Sequence, residues 1–273
     1  MIRLILVDVD GTLFGPNGVP DCAWEAAAAA RARGVHLAVC TGRPGRGRAL
    51  EYARRLDPEG LHIFESGAVI LRGDGRVVRR EALPLPAYHR LVDLSRTYAL
   101  PLEAYTADGR YAYERTAEAI RVHERMLGFT GERTDLHALA GRAAVVRAQW
   151  VTPRTQAWQA ARREVARMAG VELHEATSPG MPGVVFASVT KSGVSKLDAA
   201  RWVAAQYGLG LHQVAMVGDG WNDLELIQAA GLGVAMGGAP REVKAAADRV
   251  VGSVDECGLA EAIRLALAAE GIG

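Results

Sequence analysis

The chain has 273 residues, a length that points to one main domain with a substantial insertion or a smaller partner domain, and its 49% hydrophobic and 23% charged composition excludes disordered and fibrous classes. Lys plus Arg number 32 against 31 Asp plus Glu, so no field of one sign is available to hold nucleic acid or an anionic membrane surface, and neither partner is expected. No apolar run approaches the roughly 20 residues that span a bilayer, and Asp8 and Asp10 interrupt the N-terminal apolar run before it can read as a signal peptide, so a soluble, cytoplasmic protein is expected.

Short β-rich apolar runs alternate with Ala-rich helical patterns, the rhythm of an α/β fold with a Rossmann-like, doubly wound parallel sheet. Leu4 to Val7 reads as the first strand. Asp21 is the expected N-cap of a helix through Arg33, terminated by Gly34, and Val35 to Cys40 is the second strand. Leu61 to Phe64 follows as a third, then a hairpin of Ala68 to Leu71 and Arg76 to Val78 turned by Gly73-Asp74-Gly75.

Residues 84–183 form a segment bracketed by Leu83-Pro84-Leu85-Pro86 and Pro179-Gly180-Met181-Pro182-Gly183, both turn and linker chemistry, and are expected to be an inserted α+β domain. Within it the pattern predicts a hairpin over Tyr105 to Tyr113, a helix over Thr116 to Leu127, a strand at Ala144 to Ala148 and a helix over Thr155 to Met168. Tyr111 and Tyr113 share a strand face, which suits either substrate contact or core packing. Beyond the insertion come a helix from Gly193 to Tyr207, a strand at Val214 to Val217, a helix beginning near Asn222, strands at Gly233 to Ala235 and Arg249 to Val251, and helices up to Ala268. Residues 1–83 and 184–273 thus read as two halves of one core sheet. Cys22, Cys40 and Cys257 are far apart and lack CxxC spacing, which argues against a disulfide framework and for three small buried hydrophobes.

Three strand ends carry the chemistry. Asp8-Val9-Asp10-Gly11-Thr12 follows the first strand, where two carboxylates beside a permissive Gly can bind a hard cation, attack phosphorus and handle a leaving-group proton. A solvated turn is the plain alternative, and an EF-hand is excluded by the spacing. Thr41-Gly42-Arg43 follows the second strand, and a hydroxyl with a Gly amide there can grip phosphate oxygens. Gly218-Asp219-Gly220-Trp221-Asn222-Asp223 brings a second acidic cluster to the same sheet edge. Only three lysines occur, Lys191, Lys196 and Lys244, and two of them precede the helix leading to that cluster, where an ammonium can face a phosphoryl oxygen.

With Ser195-Lys196 as a fourth motif, these segments resemble, in order and spacing, the haloacid dehalogenase superfamily and within it the Cof-type phosphatases. The resemblance covers essentially the whole chain and places the insertion where that family carries a C2-type cap. Glu65-Ser66-Gly67-Ala68 resembles a stretch common just before such a cap, with Ser66 where Asn is usual, and Leu197 stands where Gly usually follows the motif lysine.

The resemblance implies a Mg²⁺-dependent phosphohydrolase acting on a small soluble phosphate ester. Asp8 would be the nucleophile and Asp10 the acid and base; Thr41, Gly42, Lys196 and Asn222 would bind the phosphoryl group. Magnesium would be held by Asp8, the main-chain carbonyl of Asp10, Asp219 and Asp223. A sugar phosphomutase, using a cap site such as Arg115 or Arg147 for a second phosphate, and a non-catalytic phosphate-binding module remain alternative expectations.

Overall fold

The computed structural model describes residues 1–178 and 181–268, so Pro179 and Gly180 of the expected linker lie outside the described residues. The chain forms two compact units, one of residues 1–78 and 195–273 and one of residues 79–194.

The first unit is built on a five-stranded, all-parallel sheet in the order Arg249–Val250, Leu232–Ala235, Val214–Gly218, Leu4–Val7, His36–Val39. Every side chain of Leu4–Val7 is fully buried, as a strand covered on both faces demands. The chain leaves Leu4–Val7 toward His36–Val39 on one side and returns to Val214–Gly218 on the other. The strand order therefore reverses at Leu4–Val7, and the crevice beyond its carboxyl end is where open α/β sheets bind ligands. Val7 pairs with Val39 on one side and Val217 on the other, so the three strands end level.

The first helix spans Asp21–Ala32, with Pro20 rather than Asp21 at the N-cap; the Asp21 carboxylate instead lies in the first turn, where it complements the helix dipole. Leu61–Phe64 forms where expected and pairs with Val69–Arg72. A helix over Gly47–Leu56, not anticipated behind Pro44-Gly45, buries Ala49, Ala53 and Leu56 on one stripe.

The expectation of three unpaired cysteines is corrected: Cys22 and Cys257 form a disulfide across 235 residues, and Cys40 is the buried free thiol. The pairing follows from the packing of the Asp21–Ala32 helix on the Gly258–Ala268 helix, a tertiary contact that sequence spacing does not encode.

The second unit carries a six-stranded, largely antiparallel sheet in the order Val171–Ser178, Met181–Lys191, Val145–Pro153, Leu102–Thr106, Tyr111–Tyr113, Glu132–Arg133. One face packs Leu102, Ala104, Ala148, Trp150, Val185 and Ala187 against the helices Leu85–Thr97 and Gln156–Val165. Tyr105, Tyr111 and Tyr113 form a separate cluster with Ile120, and Tyr111 donates its hydroxyl to the buried Glu103 at 2.7 Å, so the expected tyrosine face is engaged in packing. The unit spans residues 79–194 rather than 84–183; on its C-terminal side Pro182 and Gly183 lie within the Met181–Lys191 strand rather than in a linker.

Candidate active site

Asp8 follows the last residue of the central strand, and its backbone N–H donates to the Val217 carbonyl at 2.9 Å, which keeps the chain in sheet register as it enters the loop. Lys196 opens the Lys196–Gln206 helix, whose N-cap Ser195 accepts from the Asp198 N–H. Its buried Nζ donates to Asp8 Oδ1 and to Asp223 Oδ1, each at 2.6 Å. The second oxygen of Asp223 accepts from the N–H groups of Asp219 at 3.2 Å and Gly220 at 3.0 Å, so one carboxylate ties the lysine to the turn that presents Asp219.

Gly11 has φ of +73°, and a Cβ there would lie 2.0 Å from an Asp219 carboxylate oxygen. Both the left-handed backbone and the close approach require glycine, and the approach brings the two acidic motifs together. Oxygens of Asp8, Asp219 and Asp223 lie within 4.8 Å of one another.

Burial pushes the Asp8 carboxyl up to about 8, with Lys196 pulling against the rise and Asp223 adding to it. Burial likewise raises Asp219 to about 6, helped by Asp223. Burial opposes the Lys196 charge, but Asp223 and Asp8 outweigh it and the ammonium is held more firmly than usual. A site with three carboxylates and one ammonium has negative charge left over. An all-oxygen donor set at this spacing fits a hard divalent cation such as magnesium.

Thr41 is buried at the next strand end; its N–H donates to the Ile63 carbonyl at 3.0 Å and its Oγ1 accepts from the Arg43 N–H at 3.2 Å, which leaves the hydroxyl proton for a phosphate oxygen. A Cβ on Gly42 would meet Ser66 Oγ at 3.2 Å, so the Glu65-Ser66-Gly67 stretch backs this loop. All three of those residues have positive φ, and a Cβ on Gly67 would lie 2.3 Å from the Ser195 carbonyl oxygen. The Asp10 side chain is held by Arg43, through Nε to Oδ2 at 2.7 Å and Nη2 to Oδ1 at 2.5 Å, a contact for which the motif order was no guide. Asn222 is exposed, and Lys191 lies in the second unit with its Nζ donating to Glu81 at 2.7 Å.

The model of the haloacid dehalogenase-like hydrolases matches residues 5–263. The chain belongs to that family. It is 28% identical over 275 residues to the putative phosphatase YxeH of Bacillus subtilis, with 96% of this chain and 97% of the relative covered. It is also 28% identical over 265 residues, with 96% and 95% covered, to the 5-amino-6-(5-phospho-D-ribitylamino)uracil phosphatase YcsE of the same organism. Among solved structures, a haloacid dehalogenase-like hydrolase from Bacteroides thetaiotaomicron superposes with a TM-score of 0.84 at 25% identity, covering 97% of this chain and 99% of that one. The haloacid dehalogenase-like enzyme described here is a phosphatase by family and by fold.

Proposed function

We propose that the enzyme is a magnesium-dependent hydrolase of a small phosphate monoester, a sugar phosphate or similar, working through a phosphoryl group carried on Asp8. The observation that carries the reading is the position of Lys196 Nζ, 2.6 Å from both Asp8 and Asp223, at the reversal point of the sheet. An Asp8 oxygen attacks phosphorus as the ester P–O bond breaks. Asp10 gives its proton to the departing oxygen. Asp10 then takes a proton from water, whose oxygen attacks the phosphorus, releasing phosphate and restoring Asp8. Lys196 offsets charge on the transferring oxygens, and the Thr41 hydroxyl and Gly42 N–H orient them. Asn222, which is exposed, is placed with this phosphate-binding group on the motif resemblance alone. Magnesium, when held by Asp8, Asp219, Asp223 and the Asp10 carbonyl, lowers the repulsion between a carboxylate nucleophile and a phosphate dianion.

In this reading residues 79–194 are a C2-type cap that selects the substrate; support comes from their insertion between the second motif and Lys196 and from their own hydrophobic core. The test is turnover of a panel of small phosphate esters by purified protein with magnesium, in wild type and Asp8→Asn. Magnesium-dependent phosphate release that disappears in the variant is expected. Equal release from both proteins overturns the assignment of Asp8.

A further inference from the structure

The geometry points to Arg43 as a positioning residue for proton transfer, which holds the Asp10 carboxyl in the orientation that serves the leaving oxygen. The inference rests on the proposed acid and base role of Asp10 and adds a residue to it.

The Asp10 carboxylate is 59% exposed, and an exposed Asp side chain with no partner samples several rotamers. Here both oxygens are gripped at once, Oδ2 by Nε and Oδ1 by Nη2 of one guanidinium, a two-point contact that fixes the rotation of the carboxyl plane as well as its place. The arginine is itself fixed. Its N–H donates to Thr41 Oγ1 at 3.2 Å and its carbonyl accepts from the Glu65 N–H at 3.0 Å. Its guanidinium carbon lies 5.6 Å from the Phe14 ring centroid, and Phe14 stacks on Tyr52 with centroids 6.1 Å apart. The Phe14 carbonyl accepts from the Gly11 N–H at 2.9 Å, so the ring that supports Arg43 is tied to the loop that carries Asp10.

Arg43 is also only 20% exposed at its side chain, and burial opposes its charge, yet the Asp10 contacts hold the guanidinium above its ordinary range. A surface ion pair kept only for stability gains little from such a mounting. A carboxyl that must meet one oxygen of a bound ester gains alignment: the fork sets its plane beforehand, and the backbone contacts with Thr41 and Glu65 and the Phe14 ring keep the guanidinium in place when one arm gives way to the proton. Lysine, with a single point of attachment, cannot set the plane.

The test compares kcat/KM for p-nitrophenyl phosphate, whose leaving group departs without a proton, and for an alkyl phosphate, whose leaving group needs one. Wild type, Arg43→Gln, Arg43→Lys, Asp10→Asn and the Arg43→Gln/Asp10→Asn double variant are measured, each confirmed folded by its thermal transition. Arg43→Gln is expected to lower the alkyl value by roughly 10- to 100-fold while changing the aryl value less than about 3-fold, with Arg43→Lys between. In the Asp10→Asn background the same change is expected to add nothing, because the group being positioned is gone. Equal losses on both substrates, no loss on either, or a full additional loss in the double variant overturns the role of Arg43. If Asp10→Asn itself spares the alkyl phosphate, the acid assignment of Asp10 fails instead.

Discussion

Lys196 Nζ and Asp8 Oδ1 lie 2.6 Å apart although 188 residues separate them in the chain. The same nitrogen reaches Asp223 at 2.6 Å, so the ammonium is shared by the candidate nucleophile and by the carboxylate that closes the Asp219 turn. Lys191, five residues earlier, spends its charge on Glu81 in the other unit. Lys196→Ala is therefore expected to lower kcat on the order of 10² to 10³, by analogy with removal of a preorganised charge donor, and Lys191→Ala to leave it nearly unchanged. Steady-state rates in the opposite order would move the role to Lys191.

Asp219 bears on metal affinity. Its carboxyl is pushed up to about 6 by burial and by Asp223, so in the metal-free chain it is a poorly compensated charge that a cation relieves. Magnesium at about 100 times its dissociation constant is expected to stabilise the wild type by about 2.7 kcal/mol. In Asp219→Asn the thermal transition should no longer respond to magnesium at that concentration. A full magnesium shift in the variant places the ion elsewhere.

The Cys22–Cys257 disulfide closes a loop of 235 residues between two packed helices. Cys22→Ser is expected to lower the unfolding free energy by about 2 to 5 kcal/mol. Excess dithiothreitol should bring the wild type down to the variant's value in a urea titration and leave the variant where it was. Equal midpoints for oxidised wild type and variant would contradict the bond's contribution.

His62 makes the fold sensitive to acid. Its Nδ1 accepts from the Val39 N–H at 3.2 Å and its Nε2 contacts the Asp57 carbonyl at 2.8 Å, an arrangement that needs the neutral ring with the proton on Nε2. Burial lowers its pKa from 6.5 to about 4, partly opposed by the Asp57 contact. Between those values the unfolded chain binds a proton that the folded chain refuses, so stability falls as pH drops from about 6.5 to 4. The full loss is about 3 kcal/mol. His62→Gln is expected to be less stable at pH 7 but to show a shallower decline over this window in urea midpoints. An unchanged slope would assign the acid sensitivity to other groups.

The local elements were legible in the sequence wherever a short-range pattern specified them. Leu4–Val7 and Leu61–Phe64 form over the residues their apolar runs marked, and the three acidic or hydroxyl motifs stand at strand ends because turn-forming Gly and polar residues follow each run directly. The order of those motifs was enough to indicate the family and its α/β core.

What the tertiary structure alone decided are the partners. Gly47–Leu56 carries an amphipathic helical pattern that was present in the sequence but masked by the turn chemistry of Pro44-Gly45 before it, and only the fold shows its Ala49, Ala53 and Leu56 stripe turned inward. The Val171–Ser178 and Met181–Lys191 strands pair despite Pro182 and Gly183, since strand pairing is settled by the neighbouring Val145–Pro153 strand rather than by turn residues alone. The choice of Lys196 over Lys191, the grip of Arg43 on Asp10 and the bond between Cys22 and Cys257 all join residues distant in sequence. Periodicity reports only what lies within a few residues along the chain, whereas these contacts depend on sheet order, strand register and helix packing, which exist only once the chain has folded.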